Sequence, residues 1–262
     1  MRTLFIAVLV GTFVVAGSAA AKCSPDAAQV GPTCVDKYEA SLWRIPAGAT
    51  GLLKKVQKGK ATLADLQAGG ATQVLAATLG ADCDTPSGFP ATGHWTEPLY
   101  AVSVAGVVPS SCVTWFQAQQ ACALSGKRLL SNEEWQRAVA GTPDPGDDDD
   151  GADDCNVSSV LAPVPSGSRA QCVSNWGVAD LVGNLTEWTA DVDERATEGR
   201  CSTMPDDFGR DTVCIGGPGD GTLAAVARGG NWSQNGDGGA FWVDAAYGLT
   251  SRYQHYGFRC GR

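Results

Sequence analysis

Ten cysteines, every one of them downstream of an apolar N-terminal run, constrain this chain more than any other feature. Arg2, the run from Leu4 to Val15 and Ala19-Ala20-Ala21 form the charge, apolar core and small-residue cleavage pattern of a secretory signal. Cleavage near Ala21 leaves residues 22–262, secreted or periplasmic. An even cysteine count in an exported chain predicts a disulfide framework rather than thiol chemistry. No C-x-x-C pair is present, so a redox centre or a structural zinc site has little support. His94 and His255, the only histidines, are too few for a multi-histidine metal site. Lipid attachment at Cys23 needs a small residue before it, and Lys22 is long and charged.

No other apolar run reaches the ~20 residues of a membrane span. A net charge of -9 repels phosphate backbones and anionic bilayers, which argues against nucleic acid as a partner. With no composition break, residues 22–262 read as a single domain. Thirty-three glycines and 13 prolines punctuate short apolar runs, so an irregular, loop-rich α+β fold is expected. Two helices stand out. One runs from a Thr114 cap through Trp115, Phe116, Ala118, Ala121 and Cys122 and stops at Gly126. The other starts at Ser131, with Glu134 completing a capping box, turns Trp135 and Ala138 inward and ends at Gly141. The stretch at about 47–93, with Gly59 and Gly69-Gly70 interrupting its helical turns, reads as a surface insertion. Six aspartates between Asp147 and Asp154 lack the glycine placement and final glutamate of an EF-hand loop and read as a solvated turn. The sequons at Asn156, Asn184 and Asn231 read as chance occurrences.

Cys34-Val35-Asp36-Lys37-Tyr38-Glu39-Ala40, Val113-Thr114-Trp115 with Gly126-Lys127-Arg128-Leu129 and Asn132-Glu133-Glu134-Trp135, Asp180-Leu181-Val182-Gly183-Asn184-Leu185-Thr186-Glu187-Trp188-Thr189, Arg228-Gly229-Gly230-Asn231-Trp232 and Gly257-Phe258-Arg259-Cys260 follow one another along the chain. In content and order these blocks resemble the formylglycine-generating enzyme, or sulfatase-modifying factor, family. The resemblance implies an irregular C-type-lectin-like fold. Read without it, the glycines fit close backbone approaches and the tryptophans fit core anchors. Lys127 and Arg128 fit a structural ion pair.

The family's enzymes oxidise a sulfatase cysteine with copper(I) held by two cysteines after the "RGGS" block. The matching positions here are Gln234 and Gly239, and no cysteine lies between 215 and 259. Copper is therefore not expected. A second branch that joins sulfur to carbon with non-haem iron needs a helical domain and histidines that this chain lacks. The resemblance also implies calcium at Asp180, Gly183, Leu185 and Glu187, through two carboxylates and two carbonyls, and a second, truncated site at Asn156 and Val157. It pairs Cys122 with Cys260. Sequence proximity pairs Cys23 with Cys34, Cys83 with Cys112, Cys155 with Cys172 and Cys201 with Cys214. The expected function is a non-catalytic binding or structural module for a protein or glycan ligand in the export compartment. The alternative is an enzyme that modifies an exported partner or metabolite with other residues.

Overall fold

A computed structural model describes residues 22–80, 82–197, 201–215 and 221–262; the expected leader, 1–21, lies outside the described residues. The chain opens with a short hairpin, β1 (Ala27–Val30) and β2 (Thr33–Asp36), followed by β3 (Ala40–Arg44). Next come helices α1 (Thr50–Gln57) and α2 (Leu63–Ala68), then β4 (Thr72–Val74) and β5 (Tyr100–Ser103). β4 and β5 flank β3 in an antiparallel three-stranded sheet. Its face carries a core of its own, in which Leu52, Val56 and Leu66 from the two helices pack with Trp43, Tyr100 and Val102. Within the stretch at about 47–93, the two helices thus contribute buried side chains to a core. Leu52 and Val56, four residues apart, share one helix face and bury it against the sheet.

The two helices read from their caps follow. α3 (Trp115–Leu124) is closed by reciprocal bonds between Thr114 and Gln117, and α4 (Asn132–Ala138) by the same box between Ser131 and Glu134. A short β6 (Arg128–Leu129) lies between them. Glu134 does more than cap its helix. Its carboxylate also accepts from the Arg128 guanidinium at 2.6 Å, and that pairing holds its pKa down at about 2. Ala118, Ala121 and Cys122 turn the small face of α3 into the core.

β7 (Thr186–Glu194) is the central strand of the second half. The remaining strands are β8 (Ser202–Thr203), β9 (Thr212–Cys214), β10 (Leu223–Arg228), β11 (Val243–Asp244), β12 (Tyr256–Phe258) and β13 (Cys260–Gly261). Five of them join β7 in one sheet in the order β12-β7-β10-β11-β9-β8, with β12 parallel to β7 and β10 antiparallel to it. β13 leaves that sheet and slots between β2 and β6, closing a four-stranded sheet. The main core joins α3, β7 and β12 through Trp188, Phe258, Tyr256 and Leu129. Two indoles tie the layers by hydrogen bonds: Trp188 Nε1 donates to Val113 O at 3.1 Å, and Trp115 Nε1 to Thr189 O at 2.7 Å.

All ten cysteines are bridged, as Cys23–Cys34, Cys83–Cys112, Cys122–Cys260, Cys155–Cys172 and Cys201–Cys214. No helix among the described residues is long and apolar enough to cross a membrane. Disulfide usage of this density is consistent with a secreted or periplasmic protein.

Candidate functional site

The loop from Asp180 to Glu187 enters β7 through a tightly constrained turn. Asp180 and Asn184 both adopt left-handed backbone, at φ 57° and 56°, and between them Gly183 sits at φ 72°. A Cβ on Gly183 would run into the carbonyl oxygen of Asn156, so only glycine fits there. Such conformations persist where surrounding bonds over-determine them. Here Asn184 N–H donates to Asn156 O at 2.8 Å, and Gly183 N–H to Gly229 O at 3.1 Å.

Around this turn lies a buried polar hub. Arg259, fully enclosed, donates through Nε and Nη2 to Glu187 Oε1 at 3.0 and 2.7 Å, and through Nη1 to Asp36 O at 3.0 Å. Its Nη2 also reaches the carbonyls of Ala179 and Asp180. Trp135 Nε1 donates to Glu187 Oε2 at 2.9 Å. Glu39 faces them from the opening block. Its Oε2 accepts from Asn184 Nδ2 at 2.6 Å and Ser166 Oγ at 2.9 Å, and its Oε1 accepts from Leu185 N–H. Asp180 Oδ2 accepts from Gly167 N–H at 2.6 Å. Three enclosed carboxylates therefore gather around the Arg259 guanidinium, with buried Arg169 also acting on Asp180. Burial first, then repulsion from Asp180 and Glu187, drives Glu39 well above the usual carboxylate range. Burial likewise raises Asp180.

A neighbouring pair is better balanced in geometry. Lys127 Nζ, fully buried, bridges Asp26 at 2.8 Å and Asp36 at 2.7 Å, which is the structural ion pair expected of the Lys127-Arg128 dipeptide.

The residues to which the resemblance assigns calcium fall in this hub, and they divide. Glu187 does not fit a calcium ligand in this arrangement, because both its oxygens already accept bonds from Arg259 and Trp135. Asp180, Gly183 and Leu185 share one loop, with Asp180 retaining only a single hydrogen-bonded oxygen on Gly167. The truncated second site fits better at Asn156. Its Oδ1 is buried and has no partner, while its Nδ2 donates to Ala162 O and Asn184 Oδ1. Val157, beside it, uses its carbonyl to accept from Asn235 N–H.

The aspartate run is a turn held together by its own side chains. Asp150 Oδ1 accepts from the amides of Ala152 and Asp153, and Asp149 Oδ2 from Val157 and Ser158. The three sequon asparagines are buried and hydrogen-bonded, which leaves no room for a glycan.

Gln234 and Gly239 lie on the loop after β10. Gln234 Oε1 accepts from Asn231 Nδ2 at 3.1 Å, and Gln234 N–H donates to Asn231 O. A Cβ at Gly239 would overlap the carboxylates of Asp144 and Asp211. The sequence carries a signal for the hub, since Glu39 and Arg259 each stand inside a family block, whereas nothing local marks Asp144 and Asp211, which meet elsewhere beside Gly239.

The sulfatase-modifying factor enzyme 1-like domain matches residues 90–262. This chain belongs to that family. The match starts beyond α1 and α2, so those helices and β3 stand outside it. Among solved structures, the chain is similar to Major Tropism Determinant P3c variant, with 16% identity and a TM-score of 0.48 over 90% of this chain and 52% of that one. It is also similar to PvdO from Pseudomonas aeruginosa, at 18% identity and a TM-score of 0.40, covering 88% and 80% of the two chains. CarF matches at 15% identity and a TM-score of 0.41, covering 88% and 85%. The chain spans about half the length of the Major Tropism Determinant proteins it resembles. No curated protein matches it. As a sulfatase-modifying factor family member, the chain has the loop-rich, C-type-lectin-like α+β fold with five disulfides.

Proposed function

We propose that this family member is a non-catalytic binding or structural module of the export compartment, held by its disulfides and by a structural calcium ion. The observation that carries the reading is the state of its sulfur. Every cysteine is consumed in a bridge, and the resemblance puts Gln234 and Gly239 at the two positions that the family's copper chemistry requires to be thiolates. An amide oxygen and a hydrogen cannot bind copper(I) as soft thiolates do. For calcium, the support is the unpartnered Oδ1 of Asn156 beside a loop with surplus carboxylate; the ion would add positive charge there, and Asn156 with the Asp180 loop would hold it.

The deciding experiment incubates the purified chain with copper(I) and a sulfatase-motif peptide and follows the peptide by mass spectrometry. The cysteine is expected to stay intact. Formation of the aldehyde, dependent on this protein, would overturn the reading.

A further inference from the structure

The space around Gly239 is occupied by two carboxylates. A Cβ at Gly209 would meet Asp144 Oδ2 at 2.8 Å and Asp211 Oδ1 at 3.4 Å, and one at Gly239 would overlap the same two oxygens. The two acids thus share the room that two glycines vacate. Asp211 is completely buried; its Oδ2 accepts from Phe241 N–H at 2.6 Å, but its Oδ1 has no hydrogen-bond partner. Asp144 stands in front of it at the surface, in the Pro143–Gly146 turn, with Oδ1 accepting from Gly146 N–H.

Asp144 forms part of the wall of a cavity of about 510 Å³. Thr142 Oγ1, on the same wall and in a residue only 8% exposed, is also without a partner. Phe208 and Phe241 line the cavity too, 42% and 40% exposed, and meet edge to face at 5.2 Å. Asp207 brings a further carboxylate, and none of the described lining residues is basic. The guanidinium facing Asp211 from behind is that of Arg228. Its Nη1 and Nη2 donate to the carbonyls of Ala240, Phe241 and Trp242 and it stacks on Trp135 at 4.6 Å, while its Nε has no hydrogen-bond partner and its charge draws Asp211 down in part.

Facing carboxylates need a positive charge between or before them, either a proton or a cation. Burial, with repulsion from Asp144 adding to it, pushes Asp211 up to about 7, so the empty pair holds a proton in mildly acidic solution. The choice of cation follows from the walls. Calcium takes about six to eight oxygens, more than these side chains supply. Two accessible phenyl rings beside carboxylates suit an organic cation, whose charge the rings attract and whose carbon stem they cover.

We propose that this cavity binds an organic cation, an alkylammonium or guanidinium on a short aliphatic stem, with Asp144 and Asp211 as its counter-charge and Phe208 and Phe241 against the stem. Asp144 makes the direct contact. Asp211 lies behind it and sets the charge of the pair, and Thr142 Oγ1 is the polar wall atom still open to an N–H. Binding displaces the shared proton, so affinity rises with pH. The inference deepens the binding-module reading and rests on it for biological use; the peptide-oxidation assay and the binding assay below fail independently of each other.

The test is calorimetry and saturation-transfer NMR on the full, disulfide-intact chain with agmatine, with n-butanol as the uncharged comparator and calcium chloride as the metal comparator. Agmatine is expected to bind at about pH 8 and n-butanol not to. Asp144→Asn and Asp211→Asn should each weaken agmatine at least about tenfold, as loss of a charged hydrogen-bonding partner does. Phe241→Ala should weaken it about three- to fivefold. Glu97→Gln, at an exposed position that does not line the cavity, should bind as wild type. In wild type alone, needing no variant to fold, affinity should drop on going to about pH 5. A peptide carrying one arginine, run beside agmatine, assigns the source by the tighter binder: a basic side chain of a partner or a free amine. No agmatine signal, binding by both Asn variants as tight as wild type, or calcium displacing agmatine at Asp144 would each overturn the proposal.

Discussion

Two groups of buried acids in this protein solve the same electrostatic problem differently. Around β7, Glu39, Asp180 and Glu187 are wired into the fold: Arg259 grips one carboxylate, Trp135 completes it, and backbone amides and Asn184 occupy the others. Between Gly209 and Gly239, Asp144 and Asp211 sit together, and the Arg228 guanidinium behind them gives its Nη1 and Nη2 to carbonyls. The first group is bonded into the fold around Arg259 with carboxylate charge to spare; the second leaves one buried oxygen without a partner and borders a cavity. The difference separates acids that hold the structure together from acids available for binding.

Removing the guanidinium gives the largest expected effect. Arg259→Met strands Glu187 and the carbonyls of Asp36 and Ala179, and breaking a buried pair on one side costs about 3–5 kcal/mol. Urea denaturation should show it as a lower midpoint. If Asp211→Asn proves as damaging as Arg259→Met, the contrast between the groups is void.

A smaller effect concerns calcium. Chelator-stripped protein should melt higher when calcium is restored, by the ~2–3 kcal/mol that ligand in hundredfold excess over Kd provides. Asn156→Ala should lose that response. An unchanged melting temperature in wild type would remove calcium from the proposed function and leave the surplus charge of the first group to protons.

The smallest effect is the pH dependence of the open pair. Asp211 has a folded value near 7 against an ordinary 3.8, so the folded protein keeps a proton that the unfolded chain has released. Its stabilising share is whole below about pH 4 and is lost as pH climbs through 7. Wild type should therefore lose about 1–2 kcal/mol between pH 5 and 8 that Asp211→Asn does not lose, allowing for water at Asp144. Denaturation at a series of pH values checks this; parallel profiles for the two proteins would mean that Asp211 is ionised throughout.

How much was legible beforehand follows from how far apart the interacting residues are. The caps at Thr114 and Ser131 are local, within three residues of their partners, and the helices start there. The blocks around Gly183, Gly230 and Gly257 mark the family because close backbone approaches admit few residue types. The stretch at 47–93 looks like surface in isolation, with glycines breaking short helices. Its burial is supplied by Trp43 and Tyr100, which no local pattern connects to Leu52 or Leu66. The hub was half visible: Asp180 and Glu187 stand in one block, but their counter-charge comes from Arg259, 72 residues beyond Glu187. Nothing marks the Asp144–Asp211 pair, because glycine's contribution there is an empty volume.

β13 sits between β2 and β6, and Arg259 reaches Asp36 across 223 residues. The sheet that holds them is thus a seam that only the far end of the described chain can sew shut. A growing chain can curl its hairpin and cap its helices early, yet Glu187 waits without its cation, and Cys122 without Cys260, until β13 arrives. Folding of this domain is therefore gated by emergence, and truncating a handful of C-terminal residues should cost the whole of it rather than an edge.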